Sequence, residues 1–151
     1  MLLVFVICCL IAGRLGAMIT EPALADWYPG LVKPAWTPPN VVFPIAWSLI
    51  YLAIGIAAWL VWRQAERGEL GVPLALFFFQ LVCNVLWSVA FFGMRDPLLG
   101  LFAMAALIGA VVATTLSFAK ISRTASWLFL PYILWLSYAT ALNVAIWRLN
   151  A

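Results

Sequence analysis

The chain has 151 residues, of which 68% are hydrophobic and 9% charged, with a formal net charge of +3; mean hydropathy is +1.13. Soluble domains carry roughly 25% charged residues, so an ordinary cytosolic enzyme and a disordered tail are both excluded. The basic residues are scattered, which leaves no patch to grip phosphates and excludes nucleic acid as a partner.

A spanning helix needs about 20 apolar residues. Five apolar stretches of about that length occur, at 2–20, 41–62, 72–93, 97–119 and 125–147. They do not alternate as barrel strands do, and only helices remain to satisfy the backbone in lipid. The expectation is an all-α, multi-pass integral membrane protein. It is a five-transmembrane-helix bundle forming a single domain over 1–151. All five acidic residues (Glu21, Asp26, Glu66, Glu69, Asp96) fall between the stretches, and Arg14 is the one basic residue inside.

The first stretch has no basic residue before its apolar run, and its length suits a span better than a signal core. Five spans put the termini on opposite sides, here A for the N-terminal side and B for the C-terminal side. Side A receives Arg63, Arg67, Lys120 and Arg123; side B receives Lys33, Arg95 and Arg148, with Arg14 within snorkelling reach. The tally is nearly even, so the positive-inside rule assigns no orientation.

The link at 21–40 follows. It holds Pro22, Pro29, Pro34, Pro38 and Pro39 with Trp27, Tyr28 and Trp36. Prolines stiffen it and its aromatics need burial, which favours a packed lid. An aromatic belt at the headgroups is the alternative.

In the second stretch, Trp47 and Tyr51 share a face. In the third, Gln80, Asn84, Trp87 and Ser88 do so. Trp47 and Trp87 lie roughly 9 Å inside the side-B end. The fourth stretch is nearly free of polar groups but carries Ala105, Gly109 and Ala113, spaced for close helix contact within the bundle or in a dimer. The fifth carries Trp135, Ala139 and Asn143 on one face, with Tyr138 beside them. These faces can converge on side B as a cavity with aromatic walls and a few amides. The competing reading makes the amides interhelical glue.

Several chemistries have no residues to perform them. The chain has no histidine, and no carboxylate falls inside a stretch, so acid–base pairs, triads and proton-coupled export are disfavoured. Cys8, Cys9 and Cys83 sit in apolar stretches as small apolar residues.

The segments WYPGLVKPAWTPP (27–39), FPIAW (43–47), QLVCNVLWS (80–88) and PYILWLSYATALN (131–143) resemble the translocator protein family. Its bacterial members are called tryptophan-rich sensory proteins and its animal members peripheral benzodiazepine receptors. The resemblance covers essentially the whole chain. It implies a five-helix bundle, often dimeric, with a proline- and tryptophan-rich lid between helices one and two. It also implies a receptor or carrier that binds protoporphyrin IX, haem and benzodiazepine-type ligands, with sterols in some members, in a Trp-lined pocket under the first loop. The implied ligand contacts are Tyr28, Trp36, Pro38, Trp47, Tyr51, Asn84, Trp87, Trp135 and Ala139, with bulk at Ala139 narrowing the site. No cofactor and no metal site are implied; the tetrapyrrole is a ligand. Lys33 or Arg14 would pair its carboxylates. The alternatives are a light-dependent porphyrin-degrading enzyme and a stress sensor acting through a partner. The sterol motif of animal members is absent, because Tyr138 is too far from Arg148.

Overall fold

The computed structural model describes residues 1–66 and 68–151; Arg67, counted above for side A, lies outside them. The described residues form helices and no strands. These are α1 (Leu2–Asp26), α2 (Val42–Gln64), α3 (Gly71–Ser88), α4 (Pro97–Ala119), α5 (Arg123–Trp127) and α6 (Leu130–Asn150). A π turn, Val89–Gly93, prolongs α3. With α5 and α6 taken together, five segments of 23 to 28 residues are long and apolar enough to cross a membrane.

Local chemistry sets the ends of these helices. Pro44, Pro73, Pro97 and Pro131 occupy first turns, where the missing N–H has no intrahelical partner to lose. Asp96 caps α4 by accepting from the N–H groups of Leu98 (2.9 Å) and Leu99 (3.0 Å). Arg95, just before it, has φ of +58°, an uncommon conformation for a residue with a Cβ. Its guanidinium reaches Asp26 at 2.7 Å, which ties the α3–α4 corner to the end of α1.

Two boundaries differ from expectation. The first helix does not stop at 20 but runs through Pro22 to Asp26. A proline removes one backbone donor, while the extension buries Ala23 and lets Glu21 and Asp26 pair with Arg14 and Arg95. Glu21 and Asp26 therefore belong to a helix, not to the link, and Arg14 moves to the middle of its helix. The fifth stretch breaks at 128–129. Pro131 has no N–H to return to the carbonyl of Trp127, so α5 ends and α6 starts afresh.

The helices close into a ring. α1 packs against α2 and α3, α3 against α4, and α4 against α6; α2 meets α5 and α6 on the other side. At Gly55 the α1 and α2 backbones nearly touch, and an added Cβ would lie 3.0 Å from the Cα of Val6. The side-A half is filled by Phe77, which packs edge-on against Phe5 (6.0 Å between ring centres) and stacks on Phe118 (6.2 Å). Two of the three residues of the small-residue stripe of α4 do not serve this packing. Ala105 and Gly109 face outward, with nothing within 4 Å of a Cβ placed on Gly109. Met104, Leu107 and Val111 fill the interior instead. The intramolecular reading of that stripe is corrected.

The link between α1 and α2 is packed as a lid. Tyr28 is buried against Phe92, and Trp27 meets Phe91 edge-on at 5.7 Å. The amide of Asn150 pairs with both backbone groups of Val32 (3.0 and 2.9 Å). Tyr138 donates to the carbonyl of Trp36 at 2.9 Å. The lid thus rests on the π turn and on α6.

Candidate functional site

One large cavity stands out, with a volume of about 390 Å³, within the usual range for small-molecule sites. It lies between the side-B halves of α1, α2 and α3. Trp47, Tyr51, Asn84 and Trp87 form its inner wall. Exposed residues of α1 (Leu10, Arg14, Glu21) and α2 (Pro44, Ser48) form its rim, so it opens on the flank of the bundle.

The wall is held from behind by a chain of hydrogen bonds across three helices. Tyr51 donates to Oδ1 of Asn84 at 2.6 Å. Nδ2 of Asn84 donates to the hydroxyl of Tyr132 at 3.0 Å, which donates to Oε1 of Gln80 at 3.2 Å. Buried polar groups in lipid need such partners. Gln80 and Asn84 are therefore glue, and Asn84 also lines the cavity. Asn143 is glue too; its amide donates to the Pro97 carbonyl at 2.8 Å, fastening α6 to the first turn of α4.

Trp47 is the hub of the aromatic wall. It stacks on Tyr51 with ring centres 5.6 Å apart. It also meets Trp87, Tyr132 and Trp135 at 6.3, 5.8 and 6.4 Å. The indole N–H of Trp87 is buried with no partner among the described residues, and an indole N–H that deep wants an acceptor.

Of the nine residues read from the sequence, the structure brings Trp47, Tyr51, Asn84 and Trp87 into this cavity. Tyr28 and Ala139 line a separate recess of about 20 Å³, with Trp87 on the wall between the two. That recess has room for about one water. Trp135 sits behind Trp47 against Phe43. Trp36 lies against Tyr138 at the surface, and Pro38 belongs to the lid outside the wall. The lid contributes only Asn40 to the cavity. Burial, with the nearby Tyr138 phenol adding, pushes the Tyr28 phenol up to about 12, so it stays neutral at physiological pH.

Sequence reasoning missed the α1 wall. Gly13, Gly16, Ala17 and Thr20 face the cavity, and their i, i+3, i+4, i+7 spacing was a readable sign of a close-packed face. Gly13 has the closest neighbour, since an added Cβ would lie 2.6 Å from the Tyr51 ring. The expectation for Lys33 is corrected. Its ammonium does not wait at the cavity rim but donates to the carbonyls of Tyr28 (2.8 Å) and Leu31 (2.9 Å) and sits over the Tyr28 ring. A cation that close to free carbonyls is better satisfied inside the lid than in solvent.

A closed ring of five apolar, membrane-length helices, with an aromatic cavity between three of them, defines a multi-pass integral membrane protein. Residues 5–148 match the model of the TspO/MBR family, and the chain belongs to that family. It is 39% identical over 143 residues to the tryptophan-rich protein TspO of Chlorobaculum tepidum, covering 94% of this chain and 90% of that one. To the TspO of Archaeoglobus fulgidus it is 43% identical over 139 residues, covering 92% and 90%. To the human translocator protein it is 39% identical over 128 residues, covering 82% and 75%. The resemblance carried by the loop and helix motifs is thereby established.

Proposed function

We propose that this protein is a membrane receptor or carrier for tetrapyrroles, protoporphyrin IX or haem, and for related flat apolar ligands, bound in the cavity between α1, α2 and α3. The observation that carries the proposal is the cavity's composition. Trp47, Tyr51 and Trp87 line the cavity with aromatic rings, while Asn84 and Ser88 supply a few polar groups. A flat π-rich disc packs against such rings and meets such polar groups. The flank opening suits a ligand that arrives through the bilayer.

The lining suits an aromatic macrocycle and offers no ligand for its iron. The cavity wall holds no His, Cys or Met, and the Tyr51 hydroxyl is committed to Asn84. Metal-free protoporphyrin should therefore bind within a few-fold of haem, and a hundredfold preference for haem would refute this. Tryptophan quenching by protoporphyrin IX tests the main proposal. Saturable quenching at low micromolar ligand should weaken about tenfold in Trp47→Phe and Asn84→Ala but not in Trp127→Phe, a surface site on side A. Linear quenching that ignores all three substitutions would mean partitioning into detergent.

The Trp47 hub favours a second reading, light-driven porphyrin degradation, because contiguous indoles can donate electrons to an excited macrocycle. Trp47→Tyr that binds but forms no product in light would support it; equal product in protein-free detergent would remove it. The outward-facing Ala105 and Gly109, with the half-buried Ala113 beside them, suit close contact with a second copy and support a homodimer.

A further inference from the structure

Arg14 and Glu21 form an ion pair at 3.0 Å that lies along the rim of the cavity. Arg14 sits at the centre of α1, and its side chain and that of Glu21 together bridge about two helical turns, roughly 10 Å along the axis, to meet. Ala17, between the two in sequence, also lines the cavity. Charge within a spanning helix is costly and is retained where it is used. Nothing in the packing of the bundle uses this pair, since both side chains are about two-thirds exposed.

The charge inventory narrows its use. Among the described residues lining the cavity, Arg14 is the one cation and Glu21 the one anion. The nearby side-B cations are engaged elsewhere, Lys33 by lid carbonyls and Arg95 by Asp26. A carboxylate carried into this cavity therefore meets a single guanidinium, already paired with a carboxylate of the same chain.

We propose that Arg14 is the carboxylate-recognising residue of the cavity and that Glu21 is a built-in competitor which a ligand carboxylate displaces. The inference rests on the tetrapyrrole reading and adds to it a selection for free acids over esters. The exchange is balanced around Arg14, one carboxylate replacing another in the same fork of N–H donors. Glu21 lies five residues before the end of α1, so on release it can turn toward the headgroup layer and regain water. A ligand without a carboxylate leaves the pair closed and gains nothing from it.

The test compares protoporphyrin IX with its dimethyl ester, titrated by tryptophan quenching on the full chain, with helicity checked for each variant. Arg14→Gln should weaken the free acid about five- to tenfold and the ester less than twofold, as loss of one partly exposed charge-assisted contact requires. Glu21→Gln should strengthen the acid about threefold and leave the ester unchanged. Arg14→Lys, which keeps the charge, should stay within about threefold of wild type for the acid. If Arg14→Gln moves acid and ester equally, or Glu21→Gln leaves the acid unchanged, the assignment of Arg14 falls while the tetrapyrrole reading stands. If wild type binds neither compound saturably, both fall.

Discussion

The two halves of the bundle solve the packing problem in opposite ways. On side A, Phe5, Phe77, Phe118 and Phe129 fill the interior ring against ring, and the α1 and α2 backbones close together at Gly55. On side B, tryptophans and amides surround a cavity of about 390 Å³. Between them runs the chain from Tyr51 through Asn84 and Tyr132 to Gln80. Lipid is as apolar as a phenylalanine, so the helices are not driven together by water. Dense packing in one half and hydrogen bonds at mid-depth hold the ring, and this leaves the other half free to enclose space.

The largest effect is expected on side A. Phe77→Ala should cost about 3–5 kcal/mol, seen as a lower Tm of helix loss in detergent, with porphyrin affinity unchanged below the transition. A loss of affinity without a loss of stability would mean that the two halves do not divide the work. Asn84→Ala touches both halves. It removes the acceptor of Tyr51 and the donor to Tyr132 and should cost about 1 kcal/mol, the scale of interhelical hydrogen bonds in membranes. That loss of stability should accompany the loss of ligand affinity. Trp47→Phe keeps a ring at the hub and should leave Tm within a few degrees while affinity drops, which separates binding from folding. The smallest effect belongs to Gly109→Ala. With nothing within 4 Å of the added methyl, monomer stability should stay level or rise by up to about 1 kcal/mol from helix propensity; a clear fall in Tm would place that surface against another helix.

The lid adds a further check on what closes side B. Lys33→Met removes the donor to the carbonyls of Tyr28 and Leu31 and should speed amide exchange in residues 28–33. The side-A segments should exchange as before. If exchange stays slow, the Val32–Asn150 pair and the aromatic contacts of Trp27 and Tyr28 hold the lid without Lys33.

Much of this protein was determined by its sequence. Five apolar stretches of membrane length, with charge nearly absent from them, left the helical bundle as the fold. The shared faces of Trp47 with Tyr51 and of Asn84 with Trp87 marked half of the cavity wall, because residues on one helical face meet one space. The loop and helix motifs sufficed to place the chain in its family. Partnerships between distant segments were decided only in three dimensions. Glu21 and Asp26 read as loop acids until α1 was seen to continue through Pro22, since helix continuation depended on Ala23 burial and on ion pairs with Arg14 and Arg95. Lys33 read as a rim cation until the lid folded its carbonyls around it. Ala139 and Trp87 look alike as pocket residues along their own helices, but the order of helices in the ring put Trp87 at the wall and Ala139 behind it. Periodicity fixes which residues share a face; it carries no information about which neighbour that face will meet.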